Sequence, residues 1–519
     1  MRVGIDFGTT RTVVAAVDGG RYPLAAFDVG DGFVDYVPGL AMMEGGQLRT
    51  GWDAAPLAGR GDRPTVRSIK RLVSSLAPDE TVPGFGLTAL ELLTEFLAGL
   101  GRALRERSNL GVGADEPLEA MVAVPANASS RQRYVTLEAF RAAGFEVLGM
   151  VNEPTAAAID YAHRKLRNVG PGTPKRYVVI YDLGGGTFDT AAVSLIERRF
   201  ELLTSDGIAR LGGDDFDEAI LAMALEAAGA SDAELSPASR VALLEACREA
   251  KERLAPNARK LLVDLCPAFP GRESAATVLD VAALFERVQP LIDETLGPIA
   301  RVFERLADHD VDPEDPRQLG ALYLVGGAVA FPAVTRALRT LYKRKLELAP
   351  SPHAATAVGL AVKADPEERV LVNESVTRHF GVWREDDAGR VKVFDPILSK
   401  DALPDAGGPI VVTRRYHPAH AVGHLRFLEC SRLEQGEPAG DITPWREILV
   451  DYDPDAATAK DRAELARIRL PSVAWDEVVE RYVYERDGSV SVEIENPARG
   501  TRSRFELGAL GGAGHPTAG

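Results

Sequence analysis

The chain has 519 residues, 45% hydrophobic and 26% charged, with a formal net charge of −16. That length predicts two to four domains, and the acidic balance excludes a sequence-independent nucleic-acid binder or a peripheral binder of anionic membranes. Cys247, Cys266 and Cys430 are scattered without metal-ligand spacing and read as reduced thiols of a cytoplasmic protein.

Met1 leads straight into an apolar strand, so no secretion signal is expected. Val3–Ile5 run to Asp6, then to a turn of Gly8, Thr9 and Thr10, then to a second apolar strand from Thr12. The same order returns at Val178–Tyr181, Asp182, the turn Gly184, Gly185, Gly186 and Thr187, and a return strand carrying Asp189. Between and after these hairpins, apolar residues recur at three- and four-residue spacing over 89–107, 130–143, 155–166, 214–228, 237–254 and 281–307, which predicts helices. Ser129–Ser130 and Asp214–Asp215 are the expected N-caps of two of them. Residues 321–334 are apolar but too short to span a membrane and are broken by Gly326, Gly327 and Pro332. After a polar link near 365–369 the pattern changes to short strands at 410–416, 424–430, 448–452, 467–470, 477–485 and 489–495, the last two joined by Asp487–Gly488. This predicts a separate all-β sandwich over 374–508, following an α/β domain at 1–366 and a linker at 367–373. The glycine-rich end, 509–519, is expected to be disordered.

Two Asp–Gly/Thr hairpins facing each other would grip phosphates by backbone N–H groups and hydroxyls, while their carboxylates hold a cation. Gly8, Thr9, Thr10, Gly184, Gly185, Gly186 and Thr187 are the candidate phosphate ligands. Asp6, Asp182 and Asp189 are the candidate carboxylates, for Mg²⁺ held partly through water and for orienting an attacking water. Further glycine turns at strand ends, Gly212–Gly213 and Gly326–Gly327, fit the same cleft. No G-x-x-x-x-G-K-[ST] segment occurs, which excludes a P-loop enzyme.

Five segments in combination, Asp6–Thr10, Ile69–Leu72, Val124–Ala126, Asn152–Ala158 and Asp182–Asp189, resemble the actin-like ATPase superfamily and, within it, the seventy-kilodalton heat-shock chaperone family. The resemblance covers the whole first domain. It implies a duplicated actin-like (ribonuclease H-like) nucleotide-binding domain that binds ATP or ADP with Mg²⁺ and hydrolyses ATP slowly. Lys70 would be the essential lysine, Glu153 would sit beside the metal–water system, and Pro125 would couple nucleotide state to the rest of the molecule. Asp6 and Asp182 would hold the Mg²⁺ hydration shell, Asp189 would orient the water, and Lys251 would contact the ribose.

Three positions depart from that pattern. Ala330 stands where an adenine-stacking arginine is expected, Arg248 where a glutamate is expected, and Ala255 where a serine meets the adenine. A lost cation–π stack is worth roughly 0.5–2 kcal/mol, so adenine binding is expected to be weaker than phosphate binding. The β region resembles the family's peptide-binding sandwich more weakly, with Phe380 and Val382 at the first cleft-lining strand. Neither a helical lid nor an acidic tail is expected after 508. The implied function is an ATP-dependent chaperone whose β domain binds a peptide, an unfolded protein or a dedicated client. A J-domain co-chaperone and a nucleotide exchange factor are its implied partners. The alternative is a nucleotide-responsive scaffold with weak or no hydrolysis; neither nucleic acid nor membrane is an expected partner.

Overall fold

The computed structural model describes the chain except for residues 31, 56–62, 127, 166–175, 197–198, 267–275, 310, 313–314, 374–375, 377, 387–390, 401, 403–407, 453–475, 486–489 and 508–519. The expected strand at 467–470, the turn Asp487–Gly488 and the segment 509–519 therefore lie outside the described residues. The chain divides into two compact units, Met1–Ala126 with Glu138–Val372, and Asn127–Leu137 with Asn373–Gly519.

Two sheets of the same plan form the first unit. One runs in the order Glu146–Asn152, Glu119–Val124, Arg2–Phe7, Arg11–Ala16, Val37–Pro38. The other runs Leu346–Leu348, Leu319–Val325, Tyr177–Leu183, Phe188–Ile196, Arg199–Ile208, Leu371–Asn373. In each, an antiparallel hairpin is followed by two parallel strands added on its outgoing side. The register makes the duplication unequal: Asp182 lies opposite Asp189, whereas Asp6 lies opposite Val13. Only the second hairpin therefore carries a carboxylate on both strands. The strand Tyr177–Leu183 is buried on both faces, with Tyr177, Val179 and Tyr181 in one core cluster and Val178 and Ile180 in the other. Such double burial explains its continuous apolar run.

Helices Glu153–Lys165 and Ala355–Ala364 cross where Gly359 meets Ala156; a Cβ on Gly359 would lie 1.7 Å from the Ala156 carbonyl oxygen. The small-residue run Ala156–Ala158 and Gly359 together allow that approach. Helix Ala89–Glu106 starts at Thr88 with a capping box, the Thr88 hydroxyl accepting from the Glu91 N–H while Glu91 accepts from the Thr88 N–H.

Two expectations need correction here. The helix expected over 281–307 is two, Val281–Glu294 and Leu296–Arg305, broken at the fully buried Thr295. Pro298 has no N–H to donate to Glu294, and the Thr295 hydroxyl turns back to the Ile292 carbonyl at 2.6 Å. The N-cap of Gly213–Ala228 is Gly212, not Asp214; Asp215 instead accepts the Gly212 N–H at 2.7 Å.

In the second unit two four-stranded sheets share one core. Their orders are Val391–Leu398, His379–Asp386, Val422–Glu434, Glu437–Asp451 and Ile410–Tyr416, Val478–Tyr484, Val490–Asn496, Thr501–Glu506. Phe380 and Val382 are buried in that core, Phe380 stacked on Phe427 and tilted against Trp445 at 4.5 Å between centroids. Both, expected on the first cleft-lining strand, face the apolar layer between the two sheets. A polar knot also crosses this core. Glu480, fully buried, accepts from Arg384, Tyr416 and Tyr482 at 2.6, 2.6 and 2.7 Å, and Asp395 bridges Arg384 and Arg414.

No helix among the described residues is long and apolar enough to cross a membrane.

Candidate nucleotide site

The two hairpin turns meet. A Cβ on Gly185 would lie 2.0 Å from Thr10 Oγ1, so the second turn passes directly against the first. The third glycine turn is tied beneath the second, the Gly213 and Asp214 N–H groups donating to the Gly184 and Gly185 carbonyls at 2.9 and 2.6 Å. The fourth closes on the carboxylates: Gly326 has φ +87, and a Cβ there would lie 2.4 Å from Asp182 Oδ1. Only glycine accepts both that dihedral and that approach.

Lys70 sits in a 3₁₀ turn, Ile69–Arg71, and Glu153 begins the helix Glu153–Lys165. Far apart in sequence, they pair at 2.5 Å between Nζ and Oε1. Around them stand Asp6, Asp182 and Asp189, giving four carboxylates to one ammonium. Burial, then the Glu153 charge, pushes Asp6 and Asp189 up to about 7, although Lys70 pulls both down and the Thr187 hydroxyl bonds Asp189. Asp182 is raised well above the carboxylate range, by burial and then by Glu153, Asp189 and Asp6. On Lys70 burial works against the charge, but Glu153, Asp6 and Asp189 prevail and hold the ammonium above its usual range.

This excess of negative charge is chemistry that a divalent cation offsets. Among the described residues no three carboxylate, His or Cys side chains are close enough to hold a metal directly. A Mg²⁺ ion bound here, which keeps several of its waters, would have Asp6 and Asp182 to hold its hydration shell.

Lys251 donates to the Gly213 carbonyl at 2.6 Å and pairs with Asp217 at 2.8 Å. Lys251 thus braces the Gly212–Gly213 turn. Burial pushes Asp217 up to about 7 against the pull of Lys251. Arg248 pairs with Glu245 one turn back, and Ala255 and Ala330 are exposed. Pro125 follows the strand Glu119–Val124 directly. Not legible in the sequence were the His353–Asp35 hydrogen bond at 2.8 Å and the Arg11–Glu252 ion pair at 2.5 Å, whose partners are hundreds of residues apart and fall in no motif. His353 lies near enough to lower Asp6.

A family model described as Hsp70 protein matches residues 100–376, over half of the chain. The chain belongs to the Hsp70 family. Chaperone protein HscA homologs from Burkholderia multivorans, Chromobacterium violaceum and Azoarcus are 34%, 33% and 32% identical over 380, 381 and 381 residues. In each case the match takes in 70% of this chain and 58% of the relative. As a divergent Hsp70 member, the chain has the α/β actin-like domain followed by a β-rich C-terminal region. It spans little more than half the length of those curated relatives.

Proposed function

We propose that this protein is an ATP-dependent chaperone-type ATPase, in which residues 1–366 bind and hydrolyse ATP and the β domain at 374–508 binds a peptide or protein client. The observation that carries the reading is the meeting of the turns at Thr10 and Gly185 above the Lys70–Glu153 pair and three aspartates. Backbone N–H groups of Gly8–Thr10 and Gly185–Thr187 hold the phosphates from two sides, while the Gly184 N–H closes its turn on the Thr187 carbonyl at 3.0 Å. A Mg²⁺ ion, with Asp6 and Asp182 to hold its hydration shell, would supply charge neutralisation to the phosphates. Glu153 fixes the Lys70 ammonium, which orients the γ-phosphate and the attacking water, and Asp189 accepts the water's proton by hydrogen bond. Positioning and charge stabilisation of this kind account for most phosphoryl-transfer catalysis. Pro125, between strand and helix, carries the nucleotide state outward, and a J-domain co-chaperone and exchange factor act on that cycle in a cytoplasmic setting.

The test is ATP turnover by the wild type and by Lys70→Ala, each with and without a hydrophobic peptide. Peptide-stimulated turnover that Lys70→Ala abolishes supports the reading; no turnover in the wild type overturns it. A nucleotide-responsive scaffold is the second reading, favoured by Arg11–Glu252 and Arg248 at the nucleoside end, where the family's adenine contacts are replaced.

A further inference from the structure

Lys251, from the helix Pro237–Glu252, meets the first turn of the helix Gly213–Ala228 at two points. One is the Gly213 carbonyl oxygen, 2.6 Å from its Nζ; the other is the Asp217 carboxylate, at 2.8 Å. Gly213 and Asp217 are four residues apart and so lie on one face of their helix. The Lys251 side chain is 9% exposed and that of Asp217 6%. Two of the three ammonium donors are spent inside the protein, and little of the group is left to meet a ligand.

The turn that Lys251 holds carries the second phosphate turn. The Gly213 and Asp214 N–H groups donate to the Gly184 and Gly185 carbonyls, at 2.9 and 2.6 Å. A Cβ on Gly212 would lie 2.7 Å from the Gly185 carbonyl and from the Gly186 nitrogen, so the two backbones are in contact. The place of Gly212–Asp214 therefore sets the place of the Gly185–Gly186 peptide. A buried ion pair seldom stabilises more than a packed apolar pair would, because desolvation offsets its attraction. What the ion pair adds is direction: an ammonium fixed by Asp217 holds the Gly213 carbonyl in one position. We propose that Lys251 and Asp217 are positioning residues for phosphate binding, fixing the second phosphate turn through Gly213, and that Lys251 does not read the sugar. This rests on the nucleotide reading above and replaces the ribose contact expected of Lys251.

Titration of the full chain with Mg-ATP and with Mg-tripolyphosphate, which has neither sugar nor base, is the test. Lys251→Met is expected to weaken both ligands alike, by about tenfold, the scale of one lost hydrogen bond from a charged group. Lys251→Met with Asp217→Leu removes the stranded carboxylate and should melt close to the wild type, yet keep the weakened binding of both ligands. A loss confined to Mg-ATP would assign Lys251 to the nucleoside, and wild-type affinity in the double variant would reduce the pair to a structural contact. Either result, or a wild type that binds Mg-ATP but not tripolyphosphate, would overturn the inference while leaving the nucleotide site standing. Binding of neither ligand by the wild type would overturn the nucleotide reading and this inference with it.

Discussion

Thr10 and Gly185 interlock: the hydroxyl of one occupies the space that a side chain on the other would need, 2.0 Å from the Cβ position. The two halves of the duplicated domain thus touch through their phosphate turns. Gly185→Ala is expected to hold the turns apart, weakening Mg-nucleotide binding by about tenfold or more while costing little thermal stability, since no core contact is lost. Nucleotide titration alongside thermal unfolding checks this; unchanged affinity would show that the turns separate freely.

Lys70→Ala removes the ammonium that faces Asp6, Asp182, Asp189 and Glu153. Turnover is expected to fall by about a hundredfold or more, the scale of losing one preorganised electrostatic contact in a transition state. Nucleotide binding should persist, because the glycine turns supply most phosphate contacts. Single-turnover hydrolysis, compared with equilibrium binding, separates the two.

Asp6 and Asp189 titrate near 7 in the fold, against an unfolded value of 3.8. A carboxylate with a raised folded value favours the folded state fully below its unfolded value, and that contribution is lost as pH rises from about 4 through 7. The ligand-free protein is therefore expected to lose stability between pH 6 and pH 8 through these groups. Mg-nucleotide should restore more stability at pH 8 than at pH 6, because the cation binds the charged form. Melting temperatures at both pH values, with and without Mg-ATP, test this, and Asp6→Asn with Asp189→Asn should flatten the difference.

Gly359→Ala places a methyl 1.7 Å from a backbone oxygen of the neighbouring helix. The helices must move apart, at a cost of about 3 kcal/mol, the upper end for overpacking. Urea unfolding followed by circular dichroism checks the value; a loss under about 1 kcal/mol would mean that this crossing is soft.

In the β unit, Glu480→Ala takes one of two carboxylate partners from Arg384, which keeps Asp395 at 2.6 Å, and leaves the Tyr416 and Tyr482 hydroxyls without their acceptor, so it is expected to cost about 1–3 kcal/mol. Replacing both, Glu480→Leu with Arg384→Met, should recover much of that loss, because desolvating an ion pair offsets most of its attraction. A double-mutant cycle by thermal unfolding decides whether the knot stabilises or only specifies the sandwich.

Much of this protein was legible along the chain. The Asp–Gly/Thr hairpins, the helix at Ala89–Glu106 and the strand Ile410–Tyr416 follow from local periodicity and turn chemistry, which act over a few residues and leave their mark in order. Repetition of Asp6 through Thr10 at Asp182 through Thr187 announced two matching hairpins, whose turns meet at Thr10 and Gly185. The split at Thr295 was not legible, because it depends on a buried hydroxyl and on a proline three positions later acting together. Phe380 and Val382 show the same limit, since an apolar strand residue reads alike whether it lines a cleft or fills a core.

What the order of residues determined by itself was the set of groups on offer: glycine turns that permit close approach, aspartates at strand ends and a lysine in a short turn. Tertiary structure alone decided which charges share a space. Lys70 with Glu153, Arg11 with Glu252 and His353 with Asp35 are joined across 83, 241 and 318 positions. Coulomb interactions act through space and not along the chain, so the charge balance around these groups exists only in the folded domain.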